Sequence, residues 1–210
     1  MKRVWAYRMA GRLWQWCAAR IERLRGVDFS GWETMESLGF DAQRGNQYQP
    51  SARGIEALLK KLPITPGDAV IDIGCGKGKA MYLLGRLPFR TVAGIEISPV
   101  LCKTARKNLK RLGMENSYVF CGDAAEFEGY DEYNYFYMFN ALPAPVFARA
   151  LGKIEKSLSR RPRKAWFIYL NPECHDLLAR GGGFRLIKTR RHPIRWFRCN
   201  CYVHEPEKNV

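Results

Sequence analysis

The chain reads as an α/β domain: a doubly wound, mostly parallel seven-stranded sheet with an antiparallel pair at its C-terminal edge. Three observations point there. From Ala69 onward, short apolar runs alternate with segments of helical period, the pattern of strand–helix–strand units. The turn after the first run, "GCGKGKA", is glycine-rich and joins a strand to a helix. The last two runs, within "FRLIKTRRHPIRWFRCNCYVHE", are separated only by a turn at "RHP", and a short connection requires antiparallel pairing.

Residues 1–25 read as a basic amphipathic helix. Trp5, Met9, Leu13 and Trp16 recur at helical spacing, Ile21 and Leu24 extend that side, and Arg8, Arg12, Arg20 and Arg23 supply charge,. Such a helix either packs its tryptophans on the domain or lies on a membrane surface or a partner. Residues 26–50 have no sustained period, and "DAQRGNQYQPS" reads as a loop,. Residues 1–50 are therefore an appendage and residues 51–210 the domain.

A helix follows over about 52–62, stopped by Pro63, and "PITPGD" is a turn,. The strands are then "AVIDI", "TVAGIEI", "YVFCG", "YNYFYMF" and "KAWFIYL", with helices over about 79–87, 99–112, 145–158 and 173–180, before the closing pair. The aromatics of the fourth run, Tyr133, Tyr135, Phe136, Tyr137 and Phe139, fit a buried central strand whose far end can wall a channel,.

A length of 210 residues with 47% hydrophobic content allows one sizeable core,. The formal charge is +15 and uneven. Residues 1–25 hold seven basic and one acidic side chain, residues 153–198 thirteen and three, and the middle is neutral. The basic ends suggest an acidic macromolecule or an anionic membrane surface as partner. Seven cysteines form no CxxC pair. Cys199 and Cys201 would share one face of a strand, poor geometry for a disulfide, so a reducing cytoplasmic setting is expected, with the N-terminal helix allowing peripheral membrane contact. His175, His192 and His204 lie apart, without metal-ligand spacing,. "LWQWCAA", between Arg12 and Arg20, is too short to span a bilayer, and no signal peptide or transmembrane helix is expected,.

The glycine turn decides the ligand. A Walker loop is absent, and the dinucleotide fingerprint fails because Lys79 stands where a third glycine belongs,. The pattern is instead Asp72, Gly74, Gly76 and Gly78 in D-x-G-x-G-x-G. A carboxylate there opposes pyrophosphate and suits a cation. Glu96, at the tip of the second strand, can accept both hydroxyls of a ribose, and Asp123 after the third can accept an exocyclic amine. Together they line the carboxyl edge, where open α/β sheets bind ligands. A ligand with ribose, adenine and ammonium but no phosphate is S-adenosylmethionine. These marks also argue against a nicotinamide oxidoreductase.

Residues 69–143 resemble the class I S-adenosylmethionine-dependent methyltransferases. "VIDIGCGKGKA" resembles their first motif, "GIEIS" their acidic second-strand motif and "CGDAAEF" their adenine motif. The resemblance implies that Gly74, Gly76 and the Cys75 backbone border the methionine moiety. It implies that Asp72 holds the amino group and Glu96 the ribose. Ile97 would pack on adenine and Asp123 fix its amine. Gly78 and Ala124 belong to the same motifs and complete the cofactor set.

Methyl transfer is an in-line displacement, so the acceptor must be aligned and carry a free lone pair. The segment after the fourth strand, "FYMFNALPAP", faces that task. "NALPA" lacks the adjacent prolines and aromatic of the methyltransferases of DNA-base amino groups, so that activity is not inferred. Asn140 is the catalytic candidate: its side-chain oxygen either accepts from an attacking amine or caps the next helix. "NQYQPS", Asn46 to Ser51, resembles the Y-x-P-[ST] segment of seven-strand, non-SET lysine methyltransferases, which implies that Tyr48 covers the methionine end of the cofactor. "NALP" departs from those enzymes. The expected function is methyl transfer to a macromolecule, with protein lysine first. RNA follows, supported by arginines beside aromatics in "RRPRK" and "KTRRHPIRWFR",, and then a lipid or small molecule. A non-catalytic cofactor- or RNA-binding module is the alternative class. A monomer is expected.

Overall fold

A computed structural model describes residues 20–22, 24–50, 59, 61–181, 183–191 and 198–206. Its strands are β1 (Ala69–Ile73), β2 (Thr91–Glu96), β3 (Ser117–Cys121), β4 (Tyr135–Phe139), β5 (Ala165–Leu170), β6 (Arg185–Arg191) and β7 (Arg198–His204). Its α-helices are α1 (Lys79–Leu84), α2 (Pro99–Arg111), α3 (Ala144–Arg160) and α4 (His175–Arg180). The strands form one sheet in the order β3-β2-β1-β4-β5-β7-β6. The first five are parallel, while β7 runs antiparallel to both β5 and β6. This is the expected fold class. The first helix ends earlier than expected, at Leu84.

All five residues of β1 are buried, and alternate side chains feed the two faces of the sheet,. Ile71 and Ile73 join Phe136, Met138, Phe167 and Tyr169 under α3. Val70 joins Tyr135, Tyr137 and Ile168 under Met81 and Leu84 of α1. α3 supplies Phe147, Ala150, Leu151, Ile154 and Leu158 at helical spacing,. The Ser98 side chain caps α2 by accepting from the Leu101 amide, and Pro99 opens its first turn,. β3 is the outer strand, so Tyr118 and Phe120 stand exposed.

Most of the expected N-terminal helix, and of the helix over 52–62, lies outside the described residues. Leu59 is fully buried. Residues 26–50, read as a loop, contain two short 3-10 turns, Glu36–Leu38 and Ala42–Arg44, and a bridge between Glu33 and Tyr48. The segment is fastened to the domain. The Lys77 ammonium donates to the Ser30 carbonyl at 2.7 Å and pairs with Asp28 at 3.1 Å. Asn108 accepts from the Asp28 amide and donates to the Asp28 and Lys77 carbonyls. Lys79 pairs with the buried Glu22 at 3.1 Å. Both lysines of "GKGK" therefore serve as anchors for the preceding chain.

The cations of "RRPRK" have partners within the fold. Arg160 and Arg161 pair with Asp131 and Glu132, each at 2.8 Å. Arg163 donates to the carbonyls of Tyr130 and Tyr133, and Lys164 pairs with Glu205 at 2.7 Å. Cys199 and Cys201 are free and buried on one face of β7, and the other described cysteines are free as well. His175 bonds the Tyr202 hydroxyl at 2.6 Å and His204 the Gly183 carbonyl at 3.1 Å, while His192 lies outside the described residues. Among the described residues, no helix is long and apolar enough to cross a membrane, and no cluster of three metal-ligand side chains occurs.

Candidate cofactor site

A cleft opens at the carboxyl ends of β1, β2 and β4, where open α/β sheets bind ligands. Its floor is the glycine turn. Gly74 has φ +76° and faces Ala141; a Cβ there would lie 2.2 Å from the Ala141 Cβ. Gly76 has φ +53°, and its Cβ would lie 2.4 Å from the Tyr48 ring. Both positions combine a left-handed backbone with a close approach, so only glycine fits. The turn is thereby pressed between the exit of β4 and the N-terminal segment.

Asp72, the last residue of β1 but one, has only 2% of its surface exposed and lines the cleft. No donor among the described residues relieves it. Burial raises its pKa well above the ordinary carboxylate range, and Glu96 adds to the rise,. A buried carboxylate turned into a cavity without a cation is a site waiting for one. Glu96 is arranged differently. Its Oε2 accepts from the Gly76 amide at 2.9 Å and its Oε1 from the Ser98 amide at 3.0 Å. Burial raises its pKa, and these amides oppose the rise. The carboxylate keeps acceptor capacity for a hydroxyl. The Oδ1 of Asp123 accepts from the Ala125 amide at 2.8 Å, and its Oδ2 pairs with Arg44 at 3.1 Å.

Tyr48, Asp72, Gly74, Cys75, Glu96, Ile97, Asp123 and Ala124 all line the cleft. Gly76 forms its floor beneath Tyr48, while Gly78 packs on Ala105 at the start of α1. The Gly74 and Cys75 amides are occupied by the Ile95 carbonyl, so they fix the turn. Burial, then Asp72 and Glu96, push the Cys75 thiol up, which keeps it protonated. Buried Tyr137 and half-buried Phe139 of β4 reach the cleft wall. Asn46, which opens "NQYQPS", lines the cleft too, but sequence reasoning missed Met35, Leu38 and Arg44 of the same wall. The stretch before Asn46 has no period or motif to mark it.

Asn140 lies outside the cleft lining, at φ 41°. Its Oδ1 accepts from the Tyr169 hydroxyl at 3.1 Å, and that hydroxyl accepts from the Cys174 amide at 3.3 Å. The capping reading is corrected: Pro143 occupies the N-cap of α3, without a side-chain bond. Asn46 ties the region down, donating through Nδ2 to the Asn140 carbonyl at 2.7 Å and through its amide to the Ala141 carbonyl at 2.8 Å.

The donor set fits S-adenosylmethionine: an uncompensated carboxylate for its ammonium, a second with acceptor capacity for its ribose, and Ile97 and Leu101 beside the space for a purine. Acids at successive strand ends, on a sheet wound in this order, fit an S-adenosylmethionine-dependent methyltransferase domain. Residues 70–161 match the family model for a methyltransferase domain. The chain is 33% identical over 100 residues to a protein-L-isoaspartate O-methyltransferase of Helicobacter pylori (strain G27), an alignment covering 48% of this chain and 45% of that protein. It is 37% identical over 71 residues to the release factor glutamine methyltransferase of Vibrio cholerae, covering 33% of this chain and 24% of the relative. The chain thus spans less than half the length of these curated relatives. An RNA methyltransferase from Salinibacter ruber, solved with S-adenosyl-L-homocysteine, superposes with a TM-score of 0.58 at 19% identity, covering 76% of this chain and 96% of that one. It shares the fold.

Proposed function

We propose that the protein transfers the methyl group of S-adenosylmethionine to a lysine side chain of a protein. The buried Asp72 carboxylate, without a donor among the described residues and facing the cleft, carries the cofactor half of this reading. The acceptor half rests on Tyr48 over Gly76 and on the apolar wall of Met35, Leu38, Phe139 and Leu142. The relatives named for isoaspartate and for a release-factor glutamine lend support to a protein acceptor.

S-adenosylmethionine would supply an electrophilic methyl group there, with a neutral thioether as the leaving group. Asp72 would hold its ammonium, Glu96 its ribose, and Ile97 and Asp123 its adenine. A lysine must give up a proton before its lone pair can attack, at a cost of about 4.6 kcal/mol at pH 7. The apolar wall lowers that cost by disfavouring the ammonium form. Tyr48 stays protonated, its pKa raised by burial and then by Asp28 and Glu22, so it acts as a wall and not as a base. Asn140 serves as a positioning residue: its oxygen is held by Tyr169, and its carbonyl fixes Asn46 at the mouth. The test is incubation with radiolabelled cofactor and cell extract, followed by acid hydrolysis. Label in methyllysine supports the proposal; label confined to nucleosides or carboxyl esters overturns the lysine acceptor.

A further inference from the structure

We infer that the outer face of β6 is a docking surface for the phosphates of single-stranded RNA, beside the acceptor end of the cleft. This goes beyond the lysine reading and stands apart from it. Arg185, Lys188 and Arg190 lie opposite Val203, Cys201 and Cys199 of β7. Those alternate residues share one face of β7, so the three cations share one face of β6. The register shift between Leu186 and Lys188 makes this so; without it, Arg185 would point the other way. Arg185 and Lys188 are exposed and Arg190 half-buried.

The row is uncompensated. Unlike the cations of "RRPRK", none of the three has a carboxylate within ion-pair distance among the described residues. The row also points toward the site. β7 begins opposite Leu170, and the Asn171 amide donates to the Arg198 carbonyl at 2.7 Å. The charged end of the hairpin therefore sits at the same sheet edge as Asp72, Glu96 and Asn140. β6 lies three strand spacings from β4, or about 14 Å.

A linear row of one sign, with alternate residues about 7 Å apart, suits a linear polyanion. Arginine matches phosphate through its guanidinium fork. A lysine acceptor remains compatible where it belongs to an RNA-bound protein.

The test is binding of a single-stranded oligouridylate to the full chain across a salt series. Three phosphate contacts predict that affinity supplied by the row falls roughly 18-fold between about 50 and 200 mM salt. The triple variant Arg185→Gln, Lys188→Gln, Arg190→Gln should lose that part of the slope while keeping wild-type S-adenosylhomocysteine binding. A matched control, Lys103→Gln, Lys107→Gln, Lys110→Gln, removes equal charge from the exposed face of α2 and should leave the slope unchanged. An unchanged slope in the β6 variant, or equal loss in both variants, overturns the inference. So does β6-dependent binding to polyglutamate or anionic vesicles in place of RNA.

Discussion

Asp72→Asn should make the protein more stable and less able to bind its cofactor. The carboxylate is 2% exposed, and no cation or donor among the described residues compensates it. Its folded pKa is raised above its unfolded value, by burial first and by Glu96 second. Its stabilising contribution is therefore complete below the unfolded pKa and is lost as pH rises through the folded one. Above that folded pKa the ligand-free protein bears a carboxylate that no donor among the described residues relieves, and the amide removes it. The gain is about 1 kcal/mol, a rise in Tm of roughly 2–4 °C for a chain of this size. Binding moves the other way. Removing one member of a buried charge pair costs about 3 kcal/mol, or roughly 150-fold in Kd. The assay is thermal unfolding with and without S-adenosylmethionine, paired with calorimetry, on wild type and variant. A lower Tm for the ligand-free variant together with unchanged affinity would refute the reasoning, because Asp72 would then be a structural acceptor.

Cofactor affinity should fall on acidification at a higher pH than an ordinary carboxylate would give, because Asp72 and Glu96 both have raised pKa values and must be ionised to bind; calorimetry between about pH 5 and pH 8 checks this. Gly76→Ala should cost at least ~1 kcal/mol from the left-handed backbone and displace Tyr48, read as a lower Tm with weaker cofactor binding. Lys77→Met should release the segment over 26–50, because it strips partners from Asp28 and Ser30; limited proteolysis should cut there before the sheet unfolds. Tyr169→Phe leaves the Asn140 oxygen and the Cys174 amide without a partner. It should cost about 1–3 kcal/mol, measured by denaturant midpoint.

The sheet was legible because its central parallel strands are buried on both faces and so read as continuous apolar runs, as in "AVIDI" and "YFYMF",. The cofactor acids were legible because strand ends fix where a carboxylate must sit, and Asp72 and Glu96 lie near the ends of neighbouring strands. The N-terminal wall was hidden, since Met35, Leu38 and Arg44 reach the cleft through irregular chain that long-range bonds to Lys77, Asn108 and Ala141 hold in place. Charge misled for a related reason: composition counts cations but cannot pair them. "RRPRK" and the β6 row look alike in sequence, yet Asp131, Glu132 and Glu205 neutralise only the first. Lys77 and Lys79 belong to the same lesson. Within a glycine turn they resemble phosphate ligands, but each holds an acid of the preceding segment. The turn thus binds on two sides: its glycines admit Tyr48 and Ala141 at the cleft, and its lysines clamp the chain that carries Tyr48 there. Cofactor binding and docking of the N-terminal segment should therefore be coupled, each strengthening the other by the same factor.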